Sequence, residues 1–244
     1  MTVTCKNCGE LFAGNFCNNC GQPSDTHKMN MHFLIHDIQH GLFHFDKGIL
    51  YSAKELFTRP GHSIREFLEG KRVKHFKPIS LVIILATLYG LLYHLSHINL
   101  INVEEKASKI NFIEVNEWIS THYSWVTLGT IPFYTLGTFI CFKKQGYNFI
   151  ELLIFNTYKA SQRLIFHIVI FPLLFFYNGT EHQQKVTLFI YVIDLVLIFW
   201  TNIQFFDRLS KTKTFLLSVL SHLLFFIFFA TSIGILIFAY EMFT

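Results

Sequence analysis

The sequence predicts an all-α integral membrane protein with about five transmembrane helices behind a small N-terminal cysteine-rich module. Three observations carry that prediction. Of the 244 residues, 52% are hydrophobic and only 15% are charged, a balance too apolar for a soluble domain. The apolar residues collect in stretches of about 20, the length at which a helix crosses about 30 Å of hydrocarbon. Four of the five cysteines form two Cys-x2-Cys-Gly units at the N-terminus, Cys5 to Gly9 and Cys17 to Gly21.

Residues 1–24 make up the cysteine module. A Cys-x2-Cys-Gly turn points two sulfurs at one ion, and two such turns supply the four thiolates that zinc takes in a tetrahedron. Cys5, Cys8, Cys17 and Cys20 are therefore the expected ligands of a structural Zn2+ in a short zinc ribbon. Four thiolates leave no open position for water, which disfavours Lewis-acid catalysis. In so short a segment the metal would supply much of the folding free energy. A thiol-redox role is disfavoured because no βαβ pattern surrounds the pairs. Residues 1–30 are polar and lack the basic start, apolar stretch and small-residue site of a secretory leader. The N-terminus is accordingly expected in the cytoplasm, where thiols stay reduced.

Residues 25–77 read as an amphipathic helical segment at the membrane surface. Met31, Leu34, Ile38, Leu42, Phe45 and Ile49 recur at helical spacing, which predicts a helix from Met31 to about Leu56. His32, His36, His40 and His44 drift around the opposite face. With no carboxylate or shielded pocket evident beside them, they read as a solvated polar face rather than a metal site. Arg59-Pro60-Gly61 predicts a turn, and a second short helix follows from His62 to Glu69. Lys71, Arg72, Lys74 and Lys77 sit just before the first span, where each cation attracts anionic headgroups by about 1 kcal/mol. That position accounts for the charge, and no nucleic-acid partner is expected.

Residues 78–244 form the transmembrane domain, with spans expected near 79–98, 123–142, 149–177, 186–206 and 214–240. The third is mixed, because Glu151, Lys159 and Arg163 interrupt its first half. One long helix is expected there, its charged half near the cytoplasmic surface or against other helices, with a re-entrant hairpin as the alternative. Loop charges set the orientation. With the N-terminus inside, the inner segments hold the Lys71 to Lys77 cluster, Lys143, Lys144, Arg208, Lys211 and Lys213, and the outer loops hold only Lys106, Lys109 and Lys185. Five spans then leave the C-terminus outside.

Asp194 lies near the middle of the fourth span, where an ionised carboxylate is costly unless it is paired, protonated or hydrated. Arg163 and His167 in the third span and His222 in the fifth are its candidate partners. With Glu151 they would form an intramembrane polar track. The more ordinary reading is a buried pair that holds helices together, and the sharper one is a proton or ion pathway.

The Cys-x2-Cys-Gly pair, the Phe43 to Leu56 helix, the Pro60-Gly61-His62-Ser63-Ile64 turn and the Gly70-Lys71-Arg72 run ending at Pro78 resemble an uncharacterised bacterial membrane family, domain of unknown function 3667. The likeness is strongest over the first 80 residues. It extends to the spans only by topology and by Tyr147-Asn148-Phe149-Ile150-Glu151-Leu152. The resemblance implies a zinc-ribbon protein of the bacterial cytoplasmic (inner) membrane without an established activity. The family often carries histidines in the third helix, where this chain has Asn156-Thr157-Tyr158-Lys159 instead.

No nucleophile with its base, phosphate loop or open metal site stands in the sequence, so an enzyme is not expected. The favoured reading is a scaffold or regulatory module whose zinc ribbon recruits a protein partner at the surface of the lipid bilayer. The alternative is a small transporter or channel accessory using Asp194, Arg163 and His222. The two differ in one geometric respect: transport requires those three side chains to converge around a cavity, whereas a scaffold tolerates Asp194 in a closed pair.

Overall fold

The computed structural model describes residues 2–26, 29–31, 48–96, 98 and 112–243. Most of the first expected amphipathic helix, with His32, His36, His40 and His44, lies outside the described residues, as do Lys106 and Lys109 of the outer loop.

The N-terminal module contains two short strands, β1 (Thr2–Thr4) and β2 (Leu11–Ala13), paired antiparallel with Val3 opposite Phe12. Three-residue strands are too short to leave a period-2 pattern, which is why the sequence suggests only the turns between them. Two juxtamembrane helices follow, α1 (Gly48–Thr58) and α2 (Pro60–Glu69). Pro60 and Gly61 belong to the first turn of α2 rather than to a separate turn. A proline there loses no hydrogen bond, because the first amide of a helix has no intrahelical acceptor. Gly70 ends α2 at φ 112°, and the amide of Lys71 closes on the Glu66 carbonyl at 2.9 Å.

The remaining described helices are α3 (Pro78–Leu95), α4 (Phe112–Thr121), α5 (Tyr123–Phe142), α6 (Phe149–Phe176), α7 (Gln183–Phe205) and α8 (Lys211–Phe243). Five of these, α3 and α5 to α8, are long and apolar enough to cross a membrane. The third span is one uninterrupted helix of 28 residues, not a re-entrant hairpin. Leu188, Val192 and Val196 on α7 and Leu216, Leu220, Leu223 and Ile227 on α8 are exposed. Apolar faces this continuous suit lipid rather than water.

Close packing sets where the helices cross. A Cβ on Gly137 of α5 would stand 2.6 Å from the Ser221 carbonyl oxygen of α8, so only glycine permits this approach. At the ends of α5 and α7, Phe142 stacks on Phe206 at 3.8 Å between centroids and Phe155 of α6 stacks on Phe205 at 4.1 Å. All four rings are buried.

The N-terminal module, α1, α2 and the turns after α5 and α7 share one face of the bundle. Asn148 Nδ2 donates to the Met29 carbonyl at 3.2 Å, and Arg65 Nη1 reaches the Phe205 carbonyl at 2.9 Å and Asp207 Oδ1 at 2.6 Å. The opposite face carries α4, held to the end of α3 by the Tyr93 hydroxyl on Asn116 Oδ1 and by Asn116 Nδ2 on the Ile98 carbonyl.

Candidate functional site

Two places concentrate reactive or charged side chains. At the first, Cys5, Cys8, Cys17 and Cys20 bring all four sulfurs within 4.8 Å of one another. Cys5 Sγ lies 3.5 Å from Cys20 Sγ, and Cys8 Sγ lies 3.5 Å from Cys17 Sγ. Sulfurs on a tetrahedral ion with bonds of about 2.3 Å stand about 3.8 Å apart, so the cluster fits one metal ion. Both knuckles are built the same way. The Cys5 amide donates to Glu10 and the Gly9 amide to Cys5, while the Cys17 amide donates to Gln22 and the Gly21 amide to Cys17, all at 2.8–2.9 Å. Gly9 and Gly21 have φ of 81° and 74°, a left-handed turn that glycine adopts without strain.

The second place is a cavity of about 730 Å³ enclosed by α5, α6, α7 and α8. Asp194 projects into it from the midpoint of α7, about 16 Å from either helix end. Arg163 Nη2 donates to Asp194 Oδ2 at 2.8 Å, and His167 Nε2 lies 3.1 and 3.0 Å from the two carboxylate oxygens. Arg163 and His167 are one helical turn apart on α6, which is how both reach a single carboxylate. His222 of α8 lines the same cavity, its Nδ1 3.3 Å from the Tyr134 hydroxyl of α5. Glu151 stands apart from this group. It closes a capping box at the start of α6, accepting from the Asn148 amide at 2.9 Å while Asn148 Oδ1 accepts from the Glu151 amide at 2.9 Å.

The cavity also contains a cation that the sequence reading did not select. Lys159 is 5% exposed, and its Nζ donates to Asn156 Oδ1 at 3.2 Å and lies 4.9 Å from the Phe155 ring. The signal was present in the spacing: Lys159, Arg163 and His167 repeat at i, i+4 and i+8 and must share a helix face. Arg163 Nε and His167 Nδ1 are buried with no hydrogen-bond partner among the described residues.

Between the two places lies the juxtamembrane hairpin. Gln162 of α6 ties it to the bundle: its Nε2 donates to the Leu56 carbonyl at 2.6 Å and its Oε1 accepts from the Thr201 hydroxyl at 2.9 Å. The Tyr158 hydroxyl donates to the Phe76 carbonyl at 2.7 Å, and the Phe76 amide to Ser52 Oγ at 2.7 Å. These bonds run from α1 through the linker to α6. Residues 46–90 match the family model described as Protein of unknown function (DUF3667). No curated protein and no solved structure matches the chain.

The matched segment spans α1, α2, the linker and about the first two-thirds of α3. An ion-pair chain runs along it: Arg59 contacts Glu55 at 2.5 Å and Glu66 at 3.0 Å, and Lys71 reaches Glu66 at 3.2 Å. Burial opposes charge on Glu66, but the hydrogen bonds from Arg59 and Lys71 outweigh it and hold the carboxyl below its ordinary range. His75 is held the other way. Burial between the rings of Tyr51 and Phe67 pushes its pKa down to about 4, so the imidazole is neutral at pH 7. Lys74 is exposed, and Lys71, Arg72 and Lys77 are half-buried. The Arg72 guanidinium donates to the Phe67 carbonyl at 3.3 Å and stacks 5.7 Å over the Phe67 ring.

The N-terminal module is docked on this segment. The Arg72 amide donates to Gln22 Oε1 at 3.3 Å, and a Cβ on Gly70 would stand 2.9 Å from Lys6 Cδ. Gln22, Thr26 and Met29 are all buried.

Proposed function

We propose that the protein is a non-enzymatic, proton-coupled transporter or channel accessory whose working site is the cavity between α5 and α8. One observation carries this reading: Arg163, His167, Asp194 and His222 converge on a single cavity of about 730 Å³ at the mid-depth of the bundle. Ionisable groups within a span are costly, and those that face an interior cavity are the usual markers of a solute or proton path. A carboxylate held by an arginine and an imidazole can exchange a proton with that imidazole without leaving its pair. Cys5, Cys8, Cys17 and Cys20 would bind zinc as a structural ion, since a set of four thiolates is closed to substrate. The cationic inner loops favour a cytoplasmic N-terminus in a cytoplasmic membrane and an outward C-terminus.

A second reading, recruitment of a protein partner through the ribbon, is favoured by Leu11 and Phe16, which are 68% and 62% exposed on the module. It is the weaker of the two. Gln22, Thr26 and Met29 already engage this chain's own helices, so part of the contact surface is used internally.

The direct test is proton flux. Proteoliposomes holding a pH-sensitive dye under an imposed gradient should dissipate it at least about ten-fold faster with the wild type than with Asp194→Asn, the loss expected of a removed proton-carrying group. Replacing Asp194 leaves Arg163, whose side chain is 28% exposed, without its carboxylate, at a cost below the roughly 3–5 kcal/mol of a fully buried pair. His222→Phe, which breaks no ion pair, is therefore run beside it and should also slow the flux. Equal rates for wild-type and empty vesicles would sink the proposal.

A further inference from the structure

We infer that the cavity is built for an oxyanion carried on an apolar chain, a fatty-acid-like or phosphate-headed amphiphile. The inference deepens the transport reading and rests on it.

The first argument is charge. Among the side chains lining the cavity, the basic ones besides histidine are Lys159 and Arg163, and the one carboxylate is Asp194. Arg163 is engaged with Asp194 at 2.8 Å, which leaves Lys159 with an amide oxygen and two aromatic rings but no carboxylate. A buried ammonium without a counter-ion is strongly disfavoured, whereas an incoming anion completes it. The Arg163 and His167 side chains line the same space. Guanidinium and ammonium donors lining one cavity match carboxylate or phosphate oxygens.

The second argument is access. Tyr191 and Leu195 on α7 and Phe226 on α8 line the cavity and are 54%, 36% and 53% exposed. The mouth therefore lies between two helices whose outward faces suit lipid. Ile131, Ile198 and Phe225 form an apolar part of the same lining beside Lys159 and Arg163. A ligand that enters sideways, head toward Lys159 and chain along that apolar part, satisfies both surfaces. The volume falls within the usual range for a single bound small molecule.

The test is native mass spectrometry of the full chain in neutral detergent, titrated separately with oleate, oleyl alcohol and inorganic phosphate. One equivalent of oleate should be retained, and oleyl alcohol should bind at least about ten-fold more weakly, because it cannot make charge-assisted bonds. Lys159→Met should lose that preference and Lys159→Arg should keep it. Leu195→Trp, at the exposed mouth where folding is not at stake, should weaken oleate without altering the charge. Equal retention of oleate and oleyl alcohol would overturn charge selection. Phosphate bound in place of oleate would overturn the amphiphile and leave a free oxyanion. No binding at all, with Asp194-dependent flux intact, would overturn this inference while the transport reading stood.

Discussion

The cysteine module and the intramembrane cavity hold their key side chains together by opposite means. In the module, four ligands come from two turns of a few residues each, and each knuckle is closed by amides within five residues of the cysteine they serve. In the cavity, Lys159, Arg163, Asp194 and His222 come from three helices, and their meeting depends on where those helices cross. The module is a local structure that a metal ion would complete, and the cavity is chiefly a product of packing between helices. Each should therefore fail in its own way, the module on loss of its ion and the cavity on displacement of a helix.

Metal removal should produce the largest effect. Structural zinc in small knuckles contributes on the order of 10 kcal/mol at neutral pH, more than a module with three buried apolar side chains, Cys5, Phe12 and Cys17, can supply by burial. Purified protein should contain about one equivalent of zinc by elemental analysis. Cys5→Ser with Cys17→Ser should contain almost none, and limited proteolysis should then cut within residues 1–24. The bundle should keep its helical circular dichroism, because its core is assembled independently. Less than about half an equivalent in fresh, reduced wild type would count against a metal centre.

A smaller and complementary effect is expected at Gly137. A side chain there meets the Ser221 backbone carbonyl, which cannot rotate away, so α5 and α8 must separate. Gly137→Val should destabilise the bundle by about 2 kcal/mol, a typical overpacking cost, and leave the zinc content unchanged. Thermal unfolding in detergent reads the first and elemental analysis the second. If both fell together, the two regions would be one cooperative unit and the contrast between them would be wrong.

This contrast also decides what could be read from the sequence. The thiol cluster was legible because its geometry is written in a spacing of three residues. The five spans were legible because their length is fixed by the bilayer rather than by neighbours. Asp194 stands out as a charge in hydrocarbon, but that Arg163 and His167 reach it while His222 meets Tyr134 instead depends on where α6, α7 and α8 cross, for which a single sequence has no signal. Glu151 did carry one: Asn148-x-x-Glu151 ahead of an apolar run is a capping box, and it accounts for that carboxylate locally. Lys159 reads as an interruption of a span, although its four-residue step to Arg163 places the two on one face. The docking of the module on Gly70 and Arg72 joins residues about 50 positions apart, and nothing local announces it.

The last effect expected, no larger than that at Gly137, is one of pH, and it falls where the two regions meet. His75 lies in the linker between α2 and α3, against Tyr51 and Phe67, with Glu66 favouring its charged form and Arg59 opposing it. Burial dominates, and its pKa is about 4 against an ordinary 6.5. The unfolded chain therefore binds a proton at a higher pH than the folded one. Stability from this residue is present in full above pH about 6.5 and is lost progressively as pH falls toward 4. Two and a half units correspond to about 3 kcal/mol at most, and residual solvent contact brings the expected loss nearer 2 kcal/mol. Carboxylates titrate nearby, so the measurement is a difference: thermal midpoints at pH 7.5 and 4.5 for wild type and for His75→Gln. The variant should lose less stability on acidification, since an amide has no proton to gain. An identical drop in both would mean that His75 is charged as easily in the fold as outside it, and that the linker is more open to water than the rings around it imply.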